Sequence, residues 1–235
     1  MKFNLKRQKI SRELIEFALY KAKKRKEIIP RATDKNLKTL KEALQAMDKN
    51  AVPPRFILKK LGKKQDKNLG RGIFLSPHAK PIERGETIAP YSGIVFLAPQ
   101  NADDSSDYAF ALFSDLKLTK LEQKKWDPKR RFNPKRLYSI DLDAAREGNF
   151  TRFINHSEEP NVEARLVRIP KNTLGIESAP FELLYIAKKK ILPGQQLLVC
   201  YEGEDKSYWG ALNIKPFAMS PHTFLLKRKI RIDTR

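Results

Sequence analysis

The chain has 235 residues, 40% of them hydrophobic, so it can bury the core of at least one domain, which argues against global disorder. Its 48 Lys and Arg against 27 Asp and Glu give a formal net charge of +21, which predicts attraction to polyanions, with a merely solvated surface as the alternative. The single cysteine, Cys200, excludes an intramolecular disulfide and a cysteine-built zinc site, and no apolar run approaches the ~20 residues of a membrane-spanning helix.

Two amphipathic helices are predicted at the start of the chain. Apolar residues recur every three or four positions in residues 10–27, where Ser11 is available as a cap. A second pattern of this kind begins at the Thr33–Asp34 step and runs to about Asp48. The sequence therefore predicts a helical hairpin or a pair of helices over residues 1–50.

From Arg55 onwards the pattern changes to short strand-like runs that Gly and Pro separate. Many short strands with irregular connections predict a mainly β (α+β) domain of small curved sheets. Residues 98–137 are polar and charged and favour no particular element. The strand-like runs are Phe56–Leu58, Gly72–Leu75, Thr87–Ile88, Ile94–Leu97, Leu183–Ile186 and Leu197–Val199.

Two glycine-containing segments lie in the first half of this domain. Gly70-Arg71-Gly72 precedes a strand-like run, and glycine is used where backbone approaches a ligand closely or takes positive φ. It lacks the third glycine and the helix of a dinucleotide-binding turn, and taken alone it is explained as an ordinary loop. The second segment, from Gly85 to Gly93, contains Tyr91, which in isolation could simply close a turn against the core.

Two longer motifs lie in the second half of the domain. One is Arg152-Phe153-Ile154-Asn155-His156-Ser157, followed by Pro160-Asn161, and the other is Leu197-Leu198-Val199-Cys200-Tyr201-Glu202-Gly203. In this order and at these spacings, the glycine segments and the two motifs resemble the SET-domain family of protein lysine methyltransferases. The resemblance extends from about Arg55 to Trp209.

The resemblance implies a SET-domain fold, in which small curved sheets are joined by a pseudoknot and the N-terminal helices are an addition. It also implies domain boundaries. The helical region covers 1–50, the SET domain covers 51–210 with a variable insert at 98–137, and residues 211–235 cover the active site.

The family uses S-adenosylmethionine, and the resemblance carries its site residues to this chain. Tyr201 matches the catalytic tyrosine, and Tyr91 is a second catalytic candidate. The lysine channel would be lined by Tyr91, Val199, Tyr208 and Trp209, although ordinary core packing explains the last two equally well. Cofactor binding would fall to Gly70, Arg71, Gly72, Arg152, Phe153, Asn155 and His156.

Three positions depart from the family pattern. Glu202 is inserted between Tyr201 and the expected glycine. Glu158 replaces a cysteine that in many relatives shares a zinc with a cysteine cluster after the domain, and that cluster is absent as well, so no metal is expected. Val199 stands where relatives often have Phe or Tyr, and its smaller volume favours transfer of more than one methyl group. The compact zinc-free form is most similar to bacterial members such as those of chlamydiae.

The sequence contains no Ser-His-Asp, Cys-His or metal constellation, and methyl transfer to a neutral amine requires none, because bulk water can take the lysine proton. The favoured function is S-adenosylmethionine-dependent methylation of lysines in histones or bacterial histone-like proteins. Two alternatives stay open: a catalytically silent SET-fold protein that binds nucleic acid or chromatin, and a methyltransferase for a non-histone protein.

The expected partners are a basic, lysine-rich protein substrate and DNA or chromatin, with no membrane contact. Histones are themselves basic, so the net charge of +21 is better explained by docking on nucleic acid next to the substrate. The expected location is the cytoplasm, or the nucleus and its chromatin if the protein is delivered to a host cell as an effector.

Overall fold

The computed structural model describes residues 5–49, 51–61, 70–100, 106, 108–170 and 181–201. The chain divides into two compact units. The first unit consists of Met1–Ala32, Tyr91–Arg152 and Leu166–Leu183, and the second unit consists of Thr33–Pro90, Phe153–Arg165 and Leu184–Arg235.

The described residues form three α-helices, one 3-10 turn and ten strands. The helices are α1 (Leu5–Lys24), α2 (Asp34–Lys49) and α3 (Lys120–Trp126), and the 3-10 turn covers Phe150–Phe153. None of the described helices has the length and apolar character needed to cross a membrane. The strands are β1 (Phe56–Lys60), β2 (Arg71–Leu75), β3 (Thr87–Pro90), β4 (Ile94–Pro99), β5 (Ala109–Lys117), β6 (Leu137–Asp143), β7 (Asn155–His156), β8 (Val162–Arg168), β9 (Phe181–Ala187) and β10 (Leu198–Val199).

The strands form three small sheets. β1 and β2 pair antiparallel, and β4, β6 and β5 form an antiparallel sheet in that order. The third sheet has the order β3-β9-β8-β10-β7, in which β10 pairs parallel with both of its neighbours. The predicted mainly β fold of small sheets with added helices is confirmed. β10, the last of the described strands in chain order, lies between β7 and β8.

In the first unit, α1 packs against β4 and β5. Leu14, Ala18 and Ala22 are buried and recur every fourth residue, so they form a single stripe on one face of the helix. The helix begins at Leu5 and ends at Lys24, so the predicted span of 10–27 was wrong at both ends. Ser11 lies inside the helix, because the residues before it contain no Gly or Pro to stop it.

In the second unit, α2 packs against β3, and its predicted limits are confirmed. The Thr33 hydroxyl accepts a hydrogen bond from the Asn36 N–H at 3.1 Å, which satisfies one of the unpaired amides of the first turn. The Asn36 amide is buried and donates to the Gly85 carbonyl at 2.9 Å. The Thr39 hydroxyl accepts from the N–H of Thr87 at 2.8 Å, so α2 is tied to the edge strand by side chains.

Residues 194–201, named here the connecting segment, bond to three other parts of the second unit. The Leu75 N–H donates to the Gln195 carbonyl at 2.9 Å, and the Leu197 N–H donates to the Ile73 carbonyl at 2.8 Å, which joins the segment to β2. Leu198 and Val199 then form β10, in register with β7 and β8. The connecting segment therefore fixes the Gly70 region and the Asn155 region relative to each other.

Asn161 completes this arrangement. Its side chain is 1% exposed, its Nδ2 donates to the Gln196 carbonyl at 2.8 Å, and its Oδ1 accepts from the Leu198 N–H at 2.8 Å. β10 has only two residues, so its own backbone forms few hydrogen bonds. The Asn161 side-chain amide adds two hydrogen bonds that hold the strand in place.

We expect Asn161→Ala to lower the free energy of unfolding by about 2–3 kcal/mol, because two buried backbone groups lose their partners. Denaturant unfolding measures this change. Asn133→Ala is the matched control, since Asn133 is exposed and accepts a single turn hydrogen bond from the Lys135 N–H. A loss for Asn161→Ala no greater than the loss for the control would contradict the role given to this amide.

Candidate active site

The turn before β2 leaves open space around one glycine. Gly70 has φ +52°, in the left-handed region that glycine tolerates. Among the described residues, apart from its chain neighbours, no heavy atom lies within 4 Å of the position that its Cβ would take. The next residue, Arg71, begins β2 and is exposed. Within the described part of the chain, the backbone of this turn is therefore open to a ligand.

Gly72 has a different reason to be glycine. It is buried, and a Cβ at this position would lie 2.7 Å from Nε2 of Gln196 and 3.2 Å from Nδ2 of Asn155. The sequence analysis expected both glycines to let the backbone hold a ligand. For Gly72 the structure gives another cause, because the protein's own side-chain amides occupy the space that a side chain would need.

Asn155 connects the turn to β7. Its Nδ2 donates to the Arg71 carbonyl at 2.9 Å, and the bond lies at an exposed position. The side chain itself is half-buried, so it is both fixed by the protein and reachable from solvent. Gln196 packs on the inner side of Gly72. It is 2% exposed, and its Nε2 has no hydrogen-bond partner among the described residues.

Tyr201 is held by hydrogen bonds to β7 and to Ile154, the residue that precedes β7. Its N–H donates to Nδ1 of His156 at 3.0 Å, and its hydroxyl donates to the Ile154 carbonyl at 2.8 Å. The Tyr201 and His156 rings meet edge to face, with their centroids 5.5 Å apart. Because Nδ1 of His156 accepts a hydrogen bond, the proton of the neutral imidazole is assigned to Nε2.

The structure thus brings together several residues that the sequence predicted as one site. Within the second unit, Gly70, Arg71, Asn155, His156 and Tyr201 are linked by direct hydrogen bonds or by adjacent positions in the chain. The sequence analysis assigned no role to the Ile154 carbonyl or to the Gln196 side chain. A backbone carbonyl has no sequence signal, whereas a glutamine pair inside an otherwise apolar run is a signal that could have been followed.

Tyr91 and Arg152, two other candidates, lie in the first unit. The Tyr91 hydroxyl donates to the Tyr108 carbonyl at 2.8 Å, and its ring packs against Phe110 with a centroid distance of 6.4 Å. Burial raises the pKa of the Tyr91 phenol well above its ordinary value, and the charge of Asp143 adds to the effect. Tyr91 is therefore a neutral, hydrogen-bonded phenol at any physiological pH.

The Arg152 guanidinium donates from Nη1 to the carbonyls of Ala144 and Ala145, at 3.2 Å each, which closes the loop before the 3-10 turn. Phe153 is the last residue of that turn, and Val199 is 1% exposed in β10. Tyr208 and Trp209 lie outside the described residues, as does Glu202.

Comparison with known families gives a direct result. The family model described as SET domain matches residues 70–202, which is more than half of the chain. The chain belongs to the SET domain family. The matched range begins at the open turn and ends just after Tyr201, so it contains all of the predicted site residues that the second unit brings together. No curated protein is matched.

Several solved structures are similar to this chain. The methyltransferase domain of human histone-lysine N-methyltransferase SETMAR is 23% identical over 63% of this chain and 45% of its own, with a TM-score of 0.39. ATXR5 in complex with histone H3.1 mono-methylated on R26 is 17% identical over 77% and 71%, with a TM-score of 0.48. KRYPTONITE in complex with mCHG DNA and SAH is 21% identical over 75% and 29%, with a TM-score of 0.41. The chain spans less than half of the SETMAR domain chain.

We expect Gly72→Ala and Gln196→Ala to be energetically coupled, because the alanine Cβ needs the space that Nε2 of Gln196 occupies. Gly72→Ala alone should cost about 1–3 kcal/mol of stability through overpacking. In a double-mutant cycle from denaturant unfolding, Gln196→Ala should recover about 1 kcal/mol or more of that loss.

The matched control is the same cycle with Gly70→Ala, which meets open space and should cost only about 1–2 kcal/mol for its left-handed backbone. That cycle should show no coupling to Gln196→Ala. Equal coupling in the two cycles would rule out the packing explanation for Gly72.

Proposed function

We propose that this SET-domain chain is an S-adenosylmethionine-dependent protein lysine N-methyltransferase that acts on histones or bacterial histone-like proteins. The observation that carries the proposal is the position of the Tyr201 hydroxyl. It is fixed at 2.8 Å from the Ile154 carbonyl, and the next residue, Asn155, holds the Arg71 carbonyl of the glycine turn. A tyrosine hydroxyl and a backbone carbonyl can orient an amine, and an open backbone turn can hold the methyl donor beside it.

The residues present fit the cofactor. The space beside Gly70 lets a ligand contact the backbone, and the exposed hydrogen bond between Asn155 and Arg71 keeps two polar groups at its edge. Nδ1 of His156 accepts a hydrogen bond from the Tyr201 N–H and so fixes the backbone at Tyr201. S-adenosylmethionine, when bound, supplies a methyl group activated by a positively charged sulfonium. We assign its binding to Gly70, Arg71, Asn155 and His156.

Tyr201 positions the acceptor amine. The Tyr201 hydroxyl donates its hydrogen bond to the Ile154 carbonyl. Its oxygen can therefore accept hydrogen bonds from the N–H groups of the lysine and orient the amine. Alignment of two reacting groups is worth many kcal/mol, so a fixed hydroxyl is a substantial contribution to the rate. The amine must be neutral to react, and partial burial next to a positive charge lowers its pKa. Water then takes the proton, and no side-chain base is needed.

The substrate class follows from charge. A chain with a net charge of +21 does not attract a basic tail by itself, and DNA adjacent to the substrate resolves this conflict by attracting both. We therefore place the activity on DNA-associated, lysine-rich proteins, in the cytoplasm of a bacterium or on the chromatin of a host cell. We also propose that the zinc-free form of the domain closes its active site through packing alone.

The test is incubation of the purified protein with methyl-labelled S-adenosylmethionine and three separate acceptors: core histones, a bacterial histone-like protein, and cell lysate depleted of both. Label on a lysine of either purified acceptor supports the proposal. Label only on proteins of the depleted lysate would instead identify a non-histone methyltransferase. Cofactor binding or DNA binding without any transfer would favour the silent, chromatin-binding alternative.

We expect Tyr201→Phe to lower the rate of transfer by about 100-fold or more, because the amine loses its positioning group. Cofactor affinity should change little, since the N–H bond to His156 and the ring packing are retained. Tyr138→Phe is the matched control, because it removes a buried phenol that donates to Asp127 in the first unit. Full activity in Tyr201→Phe would overturn the assignment of the catalytic residue.

We expect the product to carry more than one methyl group, because valine at position 199 is smaller than the Phe or Tyr common in relatives. Mass spectrometry of the labelled peptide over time measures the distribution. Val199→Ile adds one methylene at a position that is 1% exposed, and it should shift the product toward monomethyl-lysine. A strictly monomethylated product from the unmodified protein would defeat this expectation.

A further inference from the structure

Two basic runs that lie far apart in the sequence meet in the first unit. Phe17 of α1 packs against Trp126 of α3, with ring centroids 5.7 Å apart, and Lys125 Nζ lies 3.2 Å from Oε2 of Glu13. Residues 21–27, which cover the end of α1, and residues 117–136, which contain α3, therefore lie side by side. Together they hold fourteen Lys and Arg and three carboxylates, so they carry more than half of the net charge of +21.

One of these lysines joins the two runs. Lys21 Nζ donates at 2.8 Å both to the Lys117 carbonyl and to Oε2 of Glu122, and its side chain is 14% exposed. Glu122 is also fixed by the capping box at the start of α3, since its side chain accepts from the Thr119 N–H at 2.7 Å. Burial opposes ionisation of Glu122, but the bonds from Lys21 and Thr119 outweigh it and lower its pKa. The lysine and the carboxylate neutralise each other and join α1 to the start of α3.

The other two carboxylates are paired as well. Arg25 Nη2 lies 2.7 Å from Glu27, and Arg130 Nε lies 3.3 Å from Asp127. Every acidic side chain in the two runs is therefore already matched to a cation. The exposed lysines around them include Lys24, Lys120 and Lys124, and the cations of the two runs far outnumber the three carboxylates. A surface with such an excess of cations attracts a polyanion, and this clustering of positive charge is more than solubility needs.

We infer that this surface, formed by residues 21–27 and 117–136 and named the α1–α3 surface, binds the phosphate backbone of duplex DNA. Two aromatic rings at or beside the surface have lysines over them, whereas Phe132 is exposed. Lys24 Nζ lies 4.6 Å from the Tyr20 ring centroid, and Lys125 Nζ lies 4.3 Å from that of Trp126. Rings with lysines above them are poorly placed to stack on single-stranded bases. One uncovered ring does not form a stacking path for successive bases, whereas cations are in large excess. The contact is therefore an electrostatic one, made to phosphates and independent of sequence.

The choice of duplex DNA over other polyanions rests on the proposed function, because histones and histone-like proteins are bound to duplex DNA. The existence of the surface does not rest on it, since the cations and their pairing belong to the first unit and do not depend on methyl transfer. DNA binding and methylation can therefore succeed or fail separately.

The experiment measures the affinity of the full chain for a 30-base-pair duplex by fluorescence anisotropy across a range of salt concentrations. The test variant combines Lys24→Gln, Lys120→Gln and Lys124→Gln. The matched control combines Lys38→Gln, Lys41→Gln and Lys189→Gln, which removes the same charge from exposed lysines of the second unit. Circular dichroism confirms that both variants are folded.

We expect the test variant to bind the duplex at least 10-fold more weakly at physiological salt and to lower the slope of log affinity against log salt by about 2–3, since each lost phosphate contact contributes about 0.9. The control should change affinity less than 3-fold. Methylation of free histone, without DNA, should be the same in both variants. If no methylation is detected but the two variants differ in DNA affinity as expected, the proposed function is wrong and the inference about the α1–α3 surface stands.

Two results would overturn the inference. Equal weakening in the two variants would show that net charge, not this surface, attracts the DNA. Tighter binding to single-stranded RNA or to vesicles with 30% phosphatidylserine than to the duplex, lost in the test variant alone, would assign the surface to a different polyanion.

Discussion

The structure depends on a run of eight residues that is hydrogen-bonded along both of its edges. Residues 195–197 pair with β2, and residues 198–199 pair in parallel with β7 and β8. The open turn at Gly70 precedes β2, and Asn155 lies in β7, so both halves of the site are positioned by the same short stretch of backbone. Tyr201 follows it directly and takes its own position from Ile154 and His156. A shift of this run by one residue would move every one of these groups.

Hydrogen bonds from side-chain amides replace many of the backbone hydrogen bonds that longer strands would form. β7 and β10 have two residues each, which is too short for a stable ladder of backbone bonds. Asn161 supplies two bonds to the connecting segment, Asn155 supplies one to the turn, and Asn36 supplies one between α2 and Gly85. Amides carry both a donor and an acceptor without a charge, so they can be buried at lower cost than carboxylates. The result is a site made of loops that is nevertheless fixed in several directions.

The sequence predicted some of these features well and others not at all. Local periodicity predicted the limits of α2 and the strands that have continuous apolar runs. Linear motifs predicted that positions 70–72, 155–156 and 201 belong to one site. α3 was missed inside the polar stretch, although Thr119 and Glu122 have the spacing of a capping box. β6 carries the buried, polar Asp141 and Ser139, which broke the apolar pattern. The true reason for Gly72 depends on Gln196, a contact that joins distant parts of the chain and has no local signature.

The large positive charge has opposite consequences at the two steps of the proposed reaction. At long range it repels a lysine-rich tail, although salt at physiological strength screens exposed charges beyond about 8 Å. Positive charge beside a lysine favours the neutral form of its amine, which is the reactive one, and so it acts in the same direction as burial. In the proposed reaction, charge therefore slows encounter with a free basic tail, whereas positive charge beside a bound lysine assists its deprotonation. A protein built in this way gains most from a partner that brings the tail close by other means, and a DNA duplex bound to both proteins is a partner of that kind.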